Sequence, residues 1–596
     1  MTTYLSRRAA VALLGASALP LASFVDGNGS AFGADAAVSR LSARWLDAHL
    51  RLQPVLATEI GDHRFDGDVD DMSAAGRATR LHAWKGFLAE LTALDRKALS
   101  RDAQVDAAIL ENELRYEIWD EEVFQSWVWD TQLYSDLAGK ALFTLMAREY
   151  APLPARLHFA TARMEKMPRL LAQTRANLAP ARVPPIFAET LAKQNPGISE
   201  VIDDMILAHA DELPNAEKTR LMSAAVRLKA AVEEHQTWLN KTLVPTAKGD
   251  FRLGAKLFDE KLAFTLNSPM SRAEIRSKAE AAARETREEM YAVSVKALAQ
   301  HGQTVATPDV VTPQRQQEVI EAALALAYAR RPPRDKVVEA SKAALARATE
   351  FVRDKDLVTL PSAPVEVVLM PEFARGVAVA YCDPPGPLDK GLKTFYTVSP
   401  IPDDWPATRV DSFLREYNSY GIQDIAVHEA MPGHYVQLWH ANQCPSVLRA
   451  VLLSGSFVEG WAVYAERMVV EEGFIADDPL YRLAQLKVYL RTVTNAILDQ
   501  ALHVDGISKE DAIQMMTKTA FQQQSEAEGK WTRASLSSTQ LSTYFVGYEE
   551  HKAIRAEAER RAGPTFALKA YHDKVLSYGS APARYARALM FDEEIG

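Results

Sequence analysis

The chain has 596 residues, of which 48 % are hydrophobic and 24 % charged, and its formal net charge is −10. This composition is globular and excludes a fibrous or disordered chain, and the acidic balance argues against a nucleic-acid backbone binder, whose footprint would be basic. A single core stops growing before this length, so two helical lobes are expected, each with a substantial core of its own.

Residues 1–36 read as an address. Arg7 and Arg8 precede an uncharged Ala/Leu-rich run over residues 9–25, followed by small residues at Ala31, Gly33, Ala34 and Ala36. A positive start, an apolar run and a small-residue cleavage site make a secretory signal, and the paired arginines suggest its twin-arginine form. The run is short for a transmembrane helix, which needs about 20 residues. The mature protein is therefore expected to begin near residues 34–37. It should be soluble, periplasmic or secreted, with no stable membrane anchor and no nucleic-acid partner.

Residues 37–250 are expected to form an N-terminal helical lobe and residues 251–596 a second one. From about residue 38 to 359 apolar residues recur at three- and four-residue spacing, as in "NAEKTRLMSAAVRLKAAVEEHQTWL". Ser271 stands three residues before Glu274 and predicts a capping box. Prolines near 152–154, 183–185, 195–197 and 307–313 separate the helices. Trp119, Trp127, Trp129 and Tyr134 read as core. Between about 362 and 402 the texture changes to "VEVVLMP", "GVAVAYCDP" and "LKTFYTVSP", short runs that read as antiparallel strands. Helical periodicity returns from about residue 411. Cys382 and Cys444 are the only cysteines. Their spacing suits no thiolate zinc site, and two buried thiols are expected rather than a disulfide.

Three of the 13 histidines, His428, His434 and His440, fall in the segment "IQDIAVHEAMPGHYVQLWH". His428-Glu429 followed by a further His is similar to H-E-x-x-H, in which two His one turn apart bind zinc and the Glu serves as base. Here the second His stands six residues on rather than four. In an unbroken helix that separation is about 600° of rotation, leaving the two side chains about 120° apart. Pro432 removes an N–H and would clash with the carbonyl of His428. The helix must therefore kink or bulge, with Gly433 letting the backbone recover. Incidental histidines on an amphipathic helix are the competing reading.

Downstream, Glu459 lies in an apolar run between Phe457, Val458 and Trp461. A carboxylate is expensive to bury unpaired, and either a metal or a buried Arg would satisfy it. With His428 and His434 it would leave a fourth position open, as in catalytic rather than structural zinc sites. Glu466, further along the same helix face, is a candidate acceptor behind a ligand His or a surface residue.

"HEAMPGH" followed by "VEGWAVYAE" resembles the bacterial domain-of-unknown-function 885 family, read here with zinc metallopeptidases of the gluzincin type. The 25 residues from His434 to Glu459 and the string "FVE" are also similar to the ligand helix of the thimet oligopeptidase family. The resemblance implies one Zn2+ per chain held by His428, His434 and Glu459, with Glu429 as general base. Tyr435 stands where many relatives carry another His, and His440 remains a weak competitor as ligand. His503, four residues after Asp499, fits a family-like pattern and is a candidate to bind substrate or support a ligand. Tyr544, in a family-like "Y-x-x-G", is a candidate oxyanion donor, with Tyr548 its weaker rival, and Arg533 is a candidate to hold a substrate carboxylate. The implied fold is mainly α, two helical lobes around a deep cleft, with a small antiparallel β-sheet beside the zinc-binding helix. An exposed edge of that sheet would accept the substrate as an added strand. The implied activity is zinc-dependent hydrolysis of peptide or related amide bonds by the 251–596 lobe. The alternative is a non-catalytic periplasmic peptide-binding protein on a metallopeptidase fold.

Overall fold

The computed structural model describes residues 29–306, 310–370 and 380–595. The signal-peptide reading of the first 28 residues lies outside them; the small residues that follow fall in the helix Gly29–Leu52. The fold is mainly α-helical. Ser73, Ser100 and Asp130 cap successive N-terminal helices by accepting main-chain N–H groups, as short polar side chains do at helix starts. Helix α1 (Arg272–Gln300) carries the expected capping box between Ser271 and Glu274. Among the described residues no helix is long and apolar enough to cross a membrane.

The largest apolar cluster runs from Phe258 to Ala586 and gathers most of the C-terminal half. Smaller clusters pack the N-terminal half, and several reach across the chain. Leu448 joins Trp45 and Trp84, Val451 joins Leu50 and Ile60, and Leu536 joins Val183 and Phe187. Of the N-terminal aromatics expected in the core, Tyr134 is buried and donates to the carbonyl of Trp127 at 2.6 Å, whereas Trp119, Trp127 and Trp129 are half-buried, Trp119 stacking on Phe124 at 5.0 Å. Cys382 and Cys444 are free, half-buried thiols.

The sheet has three strands, β1 (Glu366–Leu369), β2 (Ala380–Asp383) and β3 (Phe395–Val398), in the order β1-β3-β2. β2 pairs antiparallel with β3, Ala380 opposite Val398. β1 pairs parallel with β3, Glu366 opposite Phe395. The sheet is therefore mixed, which corrects the antiparallel expectation. The last strand lies in the middle, where Tyr396, Thr397 and Val398 are all buried, so β1 and β2 flank it from opposite edges. Apolar patterning marks a strand but carries no information on the direction of its neighbour.

Candidate metal centre

Helix α2 (Ser419–Glu429) is capped by Asn418, which accepts the N–H groups of Tyr420 and Gly421. It ends at Glu429, and α3 (His434–Ala441) begins five residues later. Pro432 sits between them after a cis peptide bond. The Gly433 N–H donates to the carbonyl of Val427 at 3.0 Å, and a Cβ there would meet the carbonyl oxygen of His428 at 1.8 Å. Only glycine fits this close approach. Trp461 of α4 (Gly455–Glu471) ties the junction down by donating Nε1–H to the carbonyl of Pro432 at 2.9 Å.

The break does what a six-residue spacing needs. The rings of His428 and His434 face one another at 4.8 Å between centroids, nearly perpendicular. Glu459 on α4 completes the group: its Oε2 lies 3.7 Å from Nε2 of His428 and 3.5 Å from Nε2 of His434. A tetrahedral ion with bonds of about 2.0–2.1 Å holds its ligand atoms about 3.3–3.4 Å apart, whereas hydrogen-bonded pairs stand at about 2.7–3.2 Å. These separations are closer to those of shared ligands than of hydrogen-bonded partners. The donor set, two imidazoles and one carboxylate, suits zinc.

Burial pushes the Glu459 carboxyl up, but the two facing histidines outweigh it and hold the group well below the usual carboxylate range. Burial pushes His428 down, and Glu459 and Glu466 together raise it well above its ordinary value. Glu466 is 1 % exposed and accepts a hydrogen bond from His428 Nδ1 at 2.6 Å, so it stands behind the ring rather than at the surface. That bond leaves Nε2 directed at Glu459 and His434.

Glu429, next to His428 and half-buried, has one carboxylate oxygen fixed by the N–H of Cys382 on β2, at 3.0 Å. Nothing in the sequence signals this strand-to-helix bond. Tyr544 lies in the first turn of α7 (Ser542–Ala562). Its oxygen accepts from Arg533 on α6 (Gln524–Leu536) at 3.1 Å and from Gln540 at 3.3 Å. Burial lowers the Arg533 guanidinium, and the Tyr544 oxygen and the Glu459 carboxylate raise it further than that, which puts the Arg533–Tyr544 pair within electrostatic reach of the His–His–Glu group. The turn before α7 is set by Asp499, at the end of α5 (Pro479–Gln500), which accepts from the N–H groups of Thr539 and Ser542 and from the Ser542 hydroxyl. At the crossing of α4 and α7, a Cβ on Gly460 would lie 2.2 Å from the Gly547 carbonyl carbon. The glycine of "Y-x-x-G" is thus a contact between helices.

Three sequence candidates do not join the group. His503 directs its ring nitrogens at the carbonyls of Phe251 (3.3 Å) and Ala534 (3.1 Å) and stacks on Phe258. It ties distant segments together and supports no ligand; its neighbour Asp499 does the positioning instead. Tyr548 packs edge-on against Tyr489 at 5.0 Å in the core. His440, the weak competitor as a histidine ligand, is engaged by the carbonyl of Thr359 at 2.8 Å and lies outside the His428–His434–Glu459 group. Tyr435 donates its hydroxyl to the carbonyl of Ala363.

The fold and site define a large, mainly helical protein with a His–His–Glu group at the meeting of two broken helices and a third. The chain belongs to the family described as "Bacterial protein of unknown function (DUF885)", which it matches over residues 54–590. A solved structure from Shewanella oneidensis, described as a "putative lipoprotein of unknown function", is 34 % identical to it. The likeness covers 93 % of this chain and 99 % of that one, with a TM-score of 0.80. A second, described as the "putative lipoprotein from Colwellia psychrerythraea", shares the fold at 16 % identity and a TM-score of 0.75, covering 92 % and 98 %. No curated protein matches the chain.

Proposed function

We propose that the protein is an exported zinc-dependent hydrolase of peptide or related amide bonds, with one zinc held by His428, His434 and Glu459. The observation that carries this reading is the convergence of those three donors at 3.5–3.7 Å, with no fourth protein ligand joining them among the described residues. Zinc so held supplies Lewis acidity, polarising a carbonyl and lowering the pKa of water. Glu429, steadied through one oxygen by Cys382 N–H, accepts the proton of the attacking water on the other and passes it to the leaving amine. The Tyr544 oxygen already accepts two hydrogen bonds, so its own proton is directed to the oxyanion that forms on the scissile carbonyl. The motif likeness to gluzincins and thimet oligopeptidase supports the same reading.

Export is supported by the paired arginines and apolar run at the N-terminus and by the lipoprotein descriptions of the two similar structures. Because Arg7 and Arg8 stand directly before the apolar run, we read the run as a twin-arginine address. The test is a digest of mixed peptides, followed by mass spectrometry, with wild type and Glu429→Gln. Turnover should fall by at least about 10²-fold in the variant while zinc is retained. Equal turnover would overturn the mechanism, and no turnover by the wild type would favour the peptide-binding alternative.

A further inference from the structure

The face of α6 that carries Arg533 also carries Lys530, one turn earlier. The Lys530 side chain is 5 % exposed, and its nearest carboxylate, Glu526, stands 3.9 Å away, beyond hydrogen-bond distance. Glu526 is shared with Arg491 at 3.6 Å and with the Tyr417 hydroxyl at 3.5 Å. The adjacent Lys487 pairs with Glu416 at 2.7 Å, and the same carboxylate oxygen accepts the Gln523 N–H at 3.2 Å. Arg533 is bonded to the uncharged Gln540 and Tyr544, and among the described residues no carboxylate forms an ion pair with it. Four cations, Lys487, Arg491, Lys530 and Arg533, thus stand by two carboxylates, Glu416 and Glu526, and Lys530 and Arg533 lie on the same helix face. A buried ammonium without an acceptor is costly. Burial, reinforced by Arg491 and Arg533, outweighs the Glu526 and Glu416 carboxylates and pushes Lys530 down to about 7. Of the two α6 cations, Arg533 senses Glu459.

We propose that Lys530 and Arg533 bind the C-terminal carboxylate of the substrate, so that the protein acts on short peptides near their free C-terminal end. This rests on the reading of the His–His–Glu group as a peptide hydrolase. A carboxylate is a planar, two-oxygen acceptor; it suits the forked donors of a guanidinium and takes the ammonium on its other lone pairs. An interior stretch of chain offers neutral amide groups at the same place and leaves the surplus positive charge unmatched. The Arg533 that would hold the carboxylate also donates to Tyr544, so binding of the chain end and orientation of the oxyanion donor share one side chain.

The experiment uses the full-length Glu429→Gln protein, which should bind without turning over. A library of mixed tetrapeptides is made once as free acids and once as C-terminal amides, and the peptides retained on ultrafiltration are counted by mass spectrometry. The acids should be retained about tenfold or more over the amides, the worth of one charged hydrogen bond. Adding Lys530→Met should reduce acid retention about tenfold with zinc content unchanged and the thermal midpoint not lowered. Equal retention of acids and amides, or retention of neither, would overturn the proposal, and the acid-against-amide comparison in Glu429→Gln alone decides this if the protein that also carries Lys530→Met does not fold. Selective retention of acids by a wild type that cleaves none of them would leave the carboxylate pocket standing and remove the hydrolase reading.

Discussion

Behind His428, the Glu466 carboxylate fixes the ring by accepting from Nδ1 at 2.6 Å. Such an acceptor orients a ligand histidine and raises its basicity, and its loss typically weakens metal binding about 10–100-fold. Glu466→Ala should therefore lower zinc affinity by that order, measured by competition against a chromophoric chelator; unchanged affinity would leave Glu466 a packing residue. In Tyr544→Phe the loss of one oxyanion donor should lower kcat about 10²–10³-fold and leave KM nearly unchanged, because the hydrogen bond forms with the developing charge. A rise in KM at constant kcat would show Tyr544 binding the ground state instead. At this scale the three candidate ligands were legible, since a carboxylate in an apolar run and two closely spaced histidines each call for a partner. His503 was not, because its partners, the carbonyls of Phe251 and Ala534, lie far from it in sequence and belong to no side-chain pattern.

The junction of α2 and α3 depends on a close approach of backbone to backbone. A methyl group on Gly433 would meet the His428 and Val427 carbonyls at 1.8 and 2.4 Å. Gly433→Ala must push the two helix ends apart, at the cost of about 1–3 kcal/mol typical of overpacking. Its thermal midpoint should fall and its zinc content with it; wild-type values for both would show that the junction is not what brings His428 to His434. The need for a break could be read in the sequence, from the six-residue spacing and Pro432. The mixed sheet could not, nor could the bond from Cys382 N–H to Glu429, because main-chain pairing leaves no trace in residue type. The Gly460–Gly547 crossing of α4 and α7 has the same character, since each glycine shows only as a lone small residue until the two helices are seen to cross.

Across the whole molecule, the N-terminal half grips the segment that follows β2. His63 places Nδ1 3.0 Å from Asp66 and Nε2 3.0 Å from Asp389, and stacks on Tyr150 at 3.6 Å. Arg148 donates to the carbonyls of Asp383, Pro384 and Lys393. Burial pulls the His63 imidazole down, but the Asp389 and Asp66 carboxylates outweigh it and push it up to about 9. A histidine raised from about 6.5 in the unfolded chain stabilises the fold fully below that pH and loses the contribution as pH rises through its folded value. Between pH 6.5 and 9 the wild type should therefore lose stability, of order 1–3 kcal/mol, that His63→Gln does not; parallel denaturation profiles would contradict this. The mainly helical class was legible from periodicity alone. This clamp was not, since 326 residues separate His63 from Asp389. The central claim, a three-ligand zinc site, is tested most directly by metal analysis of the purified protein after zinc loading and dialysis. One zinc per chain in the wild type, lost in Glu459→Ala, is the predicted result. A wild type that retains no zinc, or a Glu459→Ala protein that keeps its full complement, would contradict it.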